Sequence, residues 1–136
     1  MKISTKGRYA IKLMLDLALY SKGQPVKIKE IAKRQGISEK YLEIVLKILV
    51  QKKLLKGRRG KGGGYRLTRL PSEYTIGEIL ELAEGNLATV ACLVPGAEAC
   101  SRENQCITLP LWKKFDGMVH DFFYGITLEQ VLNGNI

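Results

Sequence analysis

A two-helix pattern followed by a glycine-rich basic segment occupies residues 26–67 and constrains the fold more than any other part of the chain. Its first apolar residues recur at helical spacing and predict a short amphipathic helix: Ile28, Ile31 and Ala32. Gly36 ends this helix, because glycine adopts left-handed backbone angles readily. Ser38 can then cap a second helix by accepting a hydrogen bond from a free amide. The apolar stripe of that second helix consists of Leu42, Val45, Leu46 and Leu49.

The opposite face of the second helix is polar and suits a DNA recognition helix. It carries Lys40, Ile44, Lys47 and Gln51, flanked by Tyr41 and Glu43. A recognition helix presents such residues to base edges while its apolar stripe holds the domain. Lysine can reach phosphate or guanine, and a glutamate can accept from cytosine N4. An ordinary solvated helix face explains the same charges equally well, so this helix alone does not decide between the two interpretations.

The segment KGRRGKGGG, residues 56–64, contains four positive charges and five glycines. Leucines before it and the sequence Tyr65–Leu67 after it predict two short strands joined by a basic loop. Arg58, Arg59 and Lys61 would repel one another without a nearby polyanion. A nucleotide-binding loop is disfavoured, because no GxxxxGK[ST] match exists. We therefore expect a mainly α fold with a small β wing, a winged helix-turn-helix. Its candidate DNA-binding residues are Ser38, Lys40, Tyr41, Glu43, Lys47, Arg58, Arg59 and Lys61.

The charge distribution supports a nucleic-acid partner. The chain of 136 residues has a net charge of +9, but residues 1–70 hold 19 Lys and Arg against 4 Asp and Glu, whereas residues 71–136 hold 3 against 9. The positive charge is thus confined to the half with the helix-turn-helix and wing, as DNA binding requires. A membrane-surface role is disfavoured without a basic amphipathic helix bearing bulky apolar anchors. With no membrane-spanning run and no signal-peptide core, we expect a cytoplasmic protein.

The remaining pattern predicts three further helices. The first is capped by Ser4 or Thr5, runs to about Tyr20 and is apolar over more than half its circumference, so it must be buried on several sides. Thr75 and Glu78 form a capping-box pattern that opens a helix ending at Gly85. Thr108 fits the N-cap of a long C-terminal helix. Its broad apolar face predicts a dimer interface, in addition to packing on the first helix, through Leu111, Phe115, Met118 and Phe122.

We divide the chain at residues 1–74, the DNA-binding part, and 75–136, a sensor loop with the dimerisation helix, both within one continuous domain. The loop contains Cys92, Cys100 and Cys106 in a C-x7-C-x5-C pattern. Structural zinc sites usually have a closely spaced cysteine pair, so zinc is disfavoured. Cluster binding and redox-reactive thiols are equally compatible with the spacing, ahead of inert cysteines. A fourth ligand is not obvious among His120 and the loop's polar residues Glu98, Glu103 and Asn104.

Three segments together resemble the IscR-type family of iron–sulfur- and redox-responsive transcription regulators. They are STKGRYAIKLMLDLA, ISEKYLEIVLKILVQKKLL and GRRGKGGGYRL. The cysteine loop and long helix also occupy the positions where that family keeps its cluster and dimer interface. The resemblance implies a homodimer that binds palindromic DNA. It also implies an iron–sulfur cluster, and it favours the 2Fe–2S type over the 4Fe–4S type. It further implies that the three cysteines are ligands and that Glu43 reads bases.

Two positions depart from the family pattern. Leu109 stands where the member after which the family is called has a histidine ligand position, three residues after the third cysteine. Arg8 stands where other members have an acidic residue near the start of the first helix. The function expected is a transcriptional regulator, a repressor, that senses cluster status and controls iron–sulfur biogenesis genes. The alternative is a winged-helix regulator sensing thiol oxidation, nitric oxide or a sulfur-metabolism partner. An enzyme is disfavoured, because the chain offers no nucleophile–base pair, paired carboxylates or nucleotide loop.

Overall fold

Six helices and one two-stranded antiparallel sheet form the fold in the computed structural model, which describes residues 1–136. The mainly helical winged fold predicted from the sequence is confirmed. The elements are α1 (Thr5–Tyr20), α2 (Ile28–Gln35), α3 (Glu39–Gln51), β1 (Leu55–Arg58), β2 (Gly64–Leu67), α4 (Ile76–Glu84), α5 (Leu109–Tyr124) and α6 (Leu128–Leu132). No helix is long and apolar enough to cross a membrane.

Helix α1 is central to the core, as its apolar circumference predicts. Its residues Leu13, Met14 and Leu17 are fully buried, and the helix contacts α2, α3, α4 and α6. Ser4 caps it by accepting from the Gly7 amide at 3.1 Å. The hydrophobic core runs from α1 through the helix-turn-helix and α4 to Leu128 near the C-terminus. One core therefore joins residues on both sides of position 74.

The helix-turn-helix forms as its local sequence predicts. Gly36 ends α2 at φ 64°, a left-handed conformation that suits glycine. Ile37 follows and is buried between the two helices. The Ser38 hydroxyl then caps α3 by accepting from the Tyr41 amide at 3.2 Å. The turn therefore leaves α3 anchored by its buried stripe, with its polar face in solvent.

The wing is attached to the domain at two points. The Val26 amide donates to the Tyr65 carbonyl at 2.9 Å, and the Tyr65 amide donates back at 2.8 Å. Gly64 lies beside this contact at φ 141°, and a Cβ there would strike the Val26 carbonyl. At the base, the fully buried Tyr74 donates its hydroxyl to the Leu54 carbonyl at 2.7 Å. The same hydroxyl accepts from two backbone amides of the segment that follows β2.

The C-terminal part contains three departures from the expected details. Thr75 caps α4, but the Glu78 carboxylate binds Arg69 at 2.9 Å instead of closing the capping box. Thr108 stands at the N-cap of α5 without capping it, because its hydroxyl lies 3.4 Å from the Cys106 thiol. Helix α5 packs chiefly on α4, not on α1 as expected. The Tyr124 ring of α5 packs directly against Gly77 of α4, where a Cβ would overlap the ring.

Candidate DNA interface and cysteine loop

A groove of about 720 Å³ lies between α3 and the wing, and we call it the recognition groove. It brings together four of the predicted DNA-binding residues, Glu43 and Lys47 from α3 and Arg58 and Arg59 from the wing. All four are exposed. A concave surface with three cations and one carboxylate can bind phosphates and discriminate between base edges.

The other predicted DNA-binding residues lie outside the recognition groove. Ser38 and Lys40 are exposed at the start of α3, and Lys61 is exposed at the wing tip. Tyr41 is only partly exposed, because its ring packs edge-on against Tyr9 of α1 with centroids 5.2 Å apart. Tyr41 therefore also helps to fix the start of α3 against α1.

Two cations of the groove were missed by the sequence analysis. Lys27 and Lys29, before and within α2, also line the groove. Nothing in their local spacing distinguishes them from ordinary surface lysines. They become part of the groove only because the wing folds beside them. Ile44 is 50% exposed on α3 beside Glu43, and an apolar side chain at such a position can contact a thymine methyl group.

A buried carboxylate fixes the angle of the helix-turn-helix and was also missed. Asp16 of α1 is fully buried and accepts from Arg34 Nε at 3.0 Å, Arg34 Nη2 at 2.8 Å and Gln35 Nε2 at 2.8 Å. The hydrogen bond to Asp16 raises the pKa of Arg34 above its ordinary value. These bonds hold the C-terminal end of α2 on α1. The direction in which α3 leaves the turn is therefore determined in part by Asp16.

The predicted dimerisation residues form one exposed apolar face on α5. Leu111, Phe115, Met118 and Phe122 are 58%, 42%, 62% and 57% exposed, and no residue of α5 is fully buried. Trp112 adds to this face. Contiguous exposed apolar surfaces are typical of interaction sites.

All three cysteines line one cavity of about 270 Å³ between their loop and the start of α5. Cys92 and Cys100 are exposed and Cys106 is partly exposed, and all three are free thiols. Glu98, Glu103 and Lys113 also line this cavity, which we call the cysteine cavity. His120 does not, because it lies farther along α5, stacked on Tyr124 with centroids 4.4 Å apart.

Cys106 has the most distinctive environment of the three thiols. Its sulfur lies 3.4 Å from the Thr108 hydroxyl, and this hydrogen bond lowers the pKa of the Cys106 thiol below its ordinary value. Amides at the start of α5 add to the same effect. The thiolate, which is the form that binds metal and attacks oxidants, is therefore favoured at Cys106.

The donor set of the cysteine cavity fits an iron–sulfur cluster in kind, because thiolates are the usual cluster ligands. No three His, Cys, Asp or Glu side chains lie close enough together to hold one metal ion in this conformation. The thiols must therefore approach one another for joint ligation. The loop that carries them has only short helical turns, at Ala91–Leu93 and Glu103–Gln105.

The loop is nevertheless tied to α5 at its start. The amide and hydroxyl of Thr89 both donate to Asp116 Oδ1, at 2.7 Å and 3.0 Å. At the other end of α5, the Tyr124 hydroxyl donates to Glu81 of α4. Burial and this hydrogen bond raise the pKa of Tyr124 to about 12. A chain of interactions therefore leads from the cysteine loop through α5 to α4, which packs on both α1 and α3.

A winged helix-turn-helix with a basic recognition groove defines a DNA-binding transcriptional regulator. The Rrf2 family model, that of an iron-dependent transcriptional regulator, matches residues 3–134, and the chain belongs to this family. The regulator IscR of Pectobacterium carotovorum is 36% identical over 133 residues, which are 98% of this chain and 80% of that protein. Such relatives are named as transcriptional regulators, which implies a role other than catalysis.

Two solved structures show the same fold. CymR, the global cysteine regulator of B. subtilis, superposes with a TM-score of 0.79 at 34% identity and covers 98% of both chains. The IscR of T. potens superposes with a TM-score of 0.77 at 32% identity, covering 100% of this chain and 89% of that one. The chain is thus a transcriptional regulator of the IscR type whose similarity extends both to an IscR and to a cysteine regulator.

Proposed function

We propose that this regulator is a homodimer that represses genes of iron–sulfur cluster biogenesis from palindromic operators, according to whether its three cysteines hold a cluster. The observation that carries this proposal is the cysteine cavity, which Cys92, Cys100 and Cys106 line together at the start of the helix that bears the exposed apolar face. Ligand binding there can act directly on the element that would join two subunits.

DNA binding through the recognition groove is the first component. The cations of the groove and the wing-tip Lys61 would position the protein on phosphates, while Glu43 would read bases. Removing one phosphate contact flattens the salt dependence of binding by about 0.9 in the log–log slope. We expect that effect from Arg59→Gln and from Lys61→Gln on every duplex. Arg102→Gln, which removes an exposed charge from the cysteine loop, is the matched control. Slopes unchanged in both wing variants would exclude the wing from the interface.

Dimerisation through α5 is the second component. Two copies of the face formed by Leu111, Phe115, Met118 and Phe122 would cover each other about a two-fold axis, the commonest arrangement of soluble oligomers. Two recognition helices about 34–36 Å apart would then match successive major-groove half-sites of a palindrome. The exposed fraction of Met118, 62%, makes it a sensitive position to test.

Cluster binding is the third component. Cys92, Cys100 and Cys106 would be ligands, with a 2Fe–2S cluster favoured over 4Fe–4S by the family resemblance. Glu98 and Glu103 line the same cavity and are the candidates for a fourth ligand, since Leu109 offers no donor atom. A bound cluster would be a group that exposure to oxygen or a shortage of iron can remove.

Communication with DNA would follow the hydrogen bonds that link the loop to the helices. Thr89 and Asp116 join the loop to α5, and Tyr124 and Glu81 join α5 to α4. Ordering the loop would therefore change the angle at which α5 meets its partner, and with it the separation of the recognition helices. Coupling of about 1–3 kcal/mol between two sites changes affinity about 5- to 150-fold.

The test is anaerobic purification of the parent and of each Cys→Ala variant, with iron, sulfide and visible absorbance measured. We expect colour in the parent, loss of the cluster in each cysteine variant, and full cluster content in Gln105→Ala, whose exposed side chain lies outside the cavity. Full cluster content in a cysteine variant would remove that residue from the ligand set. Equal operator affinity for apo and loaded protein would contradict cluster sensing.

A second candidate function is thiol sensing without a cluster, and the environment of Cys106 favours it. The hydrogen bond from Thr108 lowers the pKa of Cys106, two further free thiols line the same cavity, and CymR has the same fold. A thiol sensor would purify colourless under anaerobic conditions. One equivalent of hydrogen peroxide would then oxidise two of the three thiols to a disulfide, with the peroxide reduced to two molecules of water. Thiol titration would detect this loss, and operator affinity would change.

A further inference from the structure

Three cations lie together on one face of the wing, beside the turn that joins α1 to α2. In the strand register Lys56 stands directly opposite Arg66, and Arg58 follows two residues after Lys56 on β1. Because side chains alternate along a strand, these three share one face, which we call the outer wing face. All three are exposed, whereas Tyr65 and Leu67 of the other face are partly buried.

A pocket of about 350 Å³ lies between the outer wing face and the turn that joins α1 to α2. Its lining contains Lys56, Arg58 and Arg66 with Gln24 and Pro25 from the turn, and it includes no carboxylate. None of the three cations takes part in an ion pair within the chain. The pocket thus offers three positive charges and one amide to a ligand.

The placement of Lys56 opposite Arg66 is unfavourable for the isolated protein. Like charges directly across an antiparallel pair destabilise the sheet. No acidic residue lines the pocket, so no carboxylate there offsets this repulsion. An external anion would offset it and would gain from three converging donors.

We propose that the outer wing face is a second phosphate-binding surface for duplex DNA, in addition to the recognition groove. The proposal rests on the proposed DNA-binding function. Arg58 lines both the recognition groove and the outer pocket, so the two surfaces adjoin at this residue. The minor groove is only about 6 Å wide and is walled by phosphates on both sides. A wing that enters this groove would have one backbone on each flank, and the outer wing face would then meet the second.

The experiment compares the full-length parent with the double variant Lys56→Gln/Arg66→Gln. The probes are a duplex recovered by binding-site selection and a duplex of scrambled sequence. Because the variant removes two phosphate-binding charges, the log–log salt slope should fall by about 1.8. The reduction in affinity should therefore be about twelvefold larger at 50 mM than at 200 mM salt. The reduction should be the same for both duplexes, because phosphates carry no sequence information.

Lys52→Gln/Arg102→Gln is the matched control, since it also removes one lysine and one arginine, both exposed and both outside the two pockets. Its slope should fall by less than half as much. Hydroxyl-radical footprinting of the outer-face variant should show reduced protection on one strand only, next to the wing. Without DNA, the outer-face variant should melt at or above the parent temperature, because a like-charge pair has been removed.

A parent that binds DNA steeply while the outer-face variant keeps the same slope and footprint would overturn this proposal. The acidic surface of another protein would then be the partner to test. A parent that binds no duplex at all would instead refute the proposed DNA-binding function. The two failures are therefore distinguishable in one titration series.

Discussion

Replacing Tyr74 by phenylalanine tests whether the base of the wing is held by one buried hydroxyl. The ring of Tyr74 is fully buried, so the substitution removes one oxygen and leaves the packing unchanged. That oxygen donates to the Leu54 carbonyl at 2.7 Å and accepts from the amides of Thr68 at 2.9 Å and Arg69 at 3.1 Å. The Thr68 hydroxyl also joins the segment after β2 to the end of α3, by donating to the Lys53 carbonyl at 2.9 Å or the Leu54 carbonyl at 3.1 Å.

The magnitude follows from counting the partners that remain. The Leu54 carbonyl can still accept from the Thr68 hydroxyl at 3.1 Å, which shares its one proton with the Lys53 carbonyl at 2.9 Å. The two amides lose their acceptor, and each such bond contributes about 0.5–1.5 kcal/mol. We therefore expect the free energy of unfolding to fall by about 2 kcal/mol. With a urea slope of about 2 kcal/mol/M, the midpoint should move down by about 1 M.

The assay is urea denaturation of metal-free protein at one fixed concentration, since dimerisation and metal binding would otherwise shift the midpoint. Tyr20→Phe is the control, because that tyrosine is 49% exposed and phenylalanine keeps the ring that packs under Arg34 at 4.2 Å. DNA affinity should also fall in Tyr74→Phe while the salt slope stays constant, because a loosened wing keeps its charges. A midpoint within about 0.2 M of the parent would refute the assigned role of the hydroxyl.

Three further outcomes are expected. Glu43→Ala should relax base preference at one or two positions per half-site in a binding-site selection, and an unaltered motif would exclude base readout by this carboxylate. Met118→Asp should place an unpaired charge in the α5 interface and give monomers in sedimentation, with weaker binding to palindromic DNA; a folded variant that remains dimeric would move the interface elsewhere. The raised pKa of Tyr124, about 12, means that its protonated form is favoured in the folded state. Its contribution to stability is therefore complete below pH about 10 and lost as the pH rises towards 12. Tyr124→Phe should show less of this alkaline loss in unfolding measurements, and an identical pH profile would contradict the bond to Glu81.

The helix-turn-helix was predictable because its signals are local. Gly36 ends α2 through its own backbone freedom, and Ser38 caps α3 through an amide three residues away. The apolar stripe of α3 likewise follows from spacing alone. The glycine-rich wing was recognisable for the same reason, although the need for glycine at position 64 comes from a distant carbonyl, that of Val26.

The cysteine loop illustrates the limit of local reasoning. Spacing placed three thiols in one loop, but it could not show that they line a single cavity with Glu98 and Glu103. Nor could it show that Thr108 turns its hydroxyl to Cys106 in place of capping α5, because both partners are plausible from sequence. Which partner the hydroxyl takes depends on the path of the loop as it enters the helix.

By itself the sequence determined the kinds of elements, their order and the confinement of positive charge to residues 1–70. Those properties depend on helical and strand periodicity, on capping residues and on composition, all of which act over a few positions. The tertiary structure alone decided which distant groups meet. It paired the buried Asp16 with Arg34, placed Lys27 in the recognition groove and packed α5 on α4. Such pairings depend on how several elements pack at once, and no short stretch of sequence contains that information.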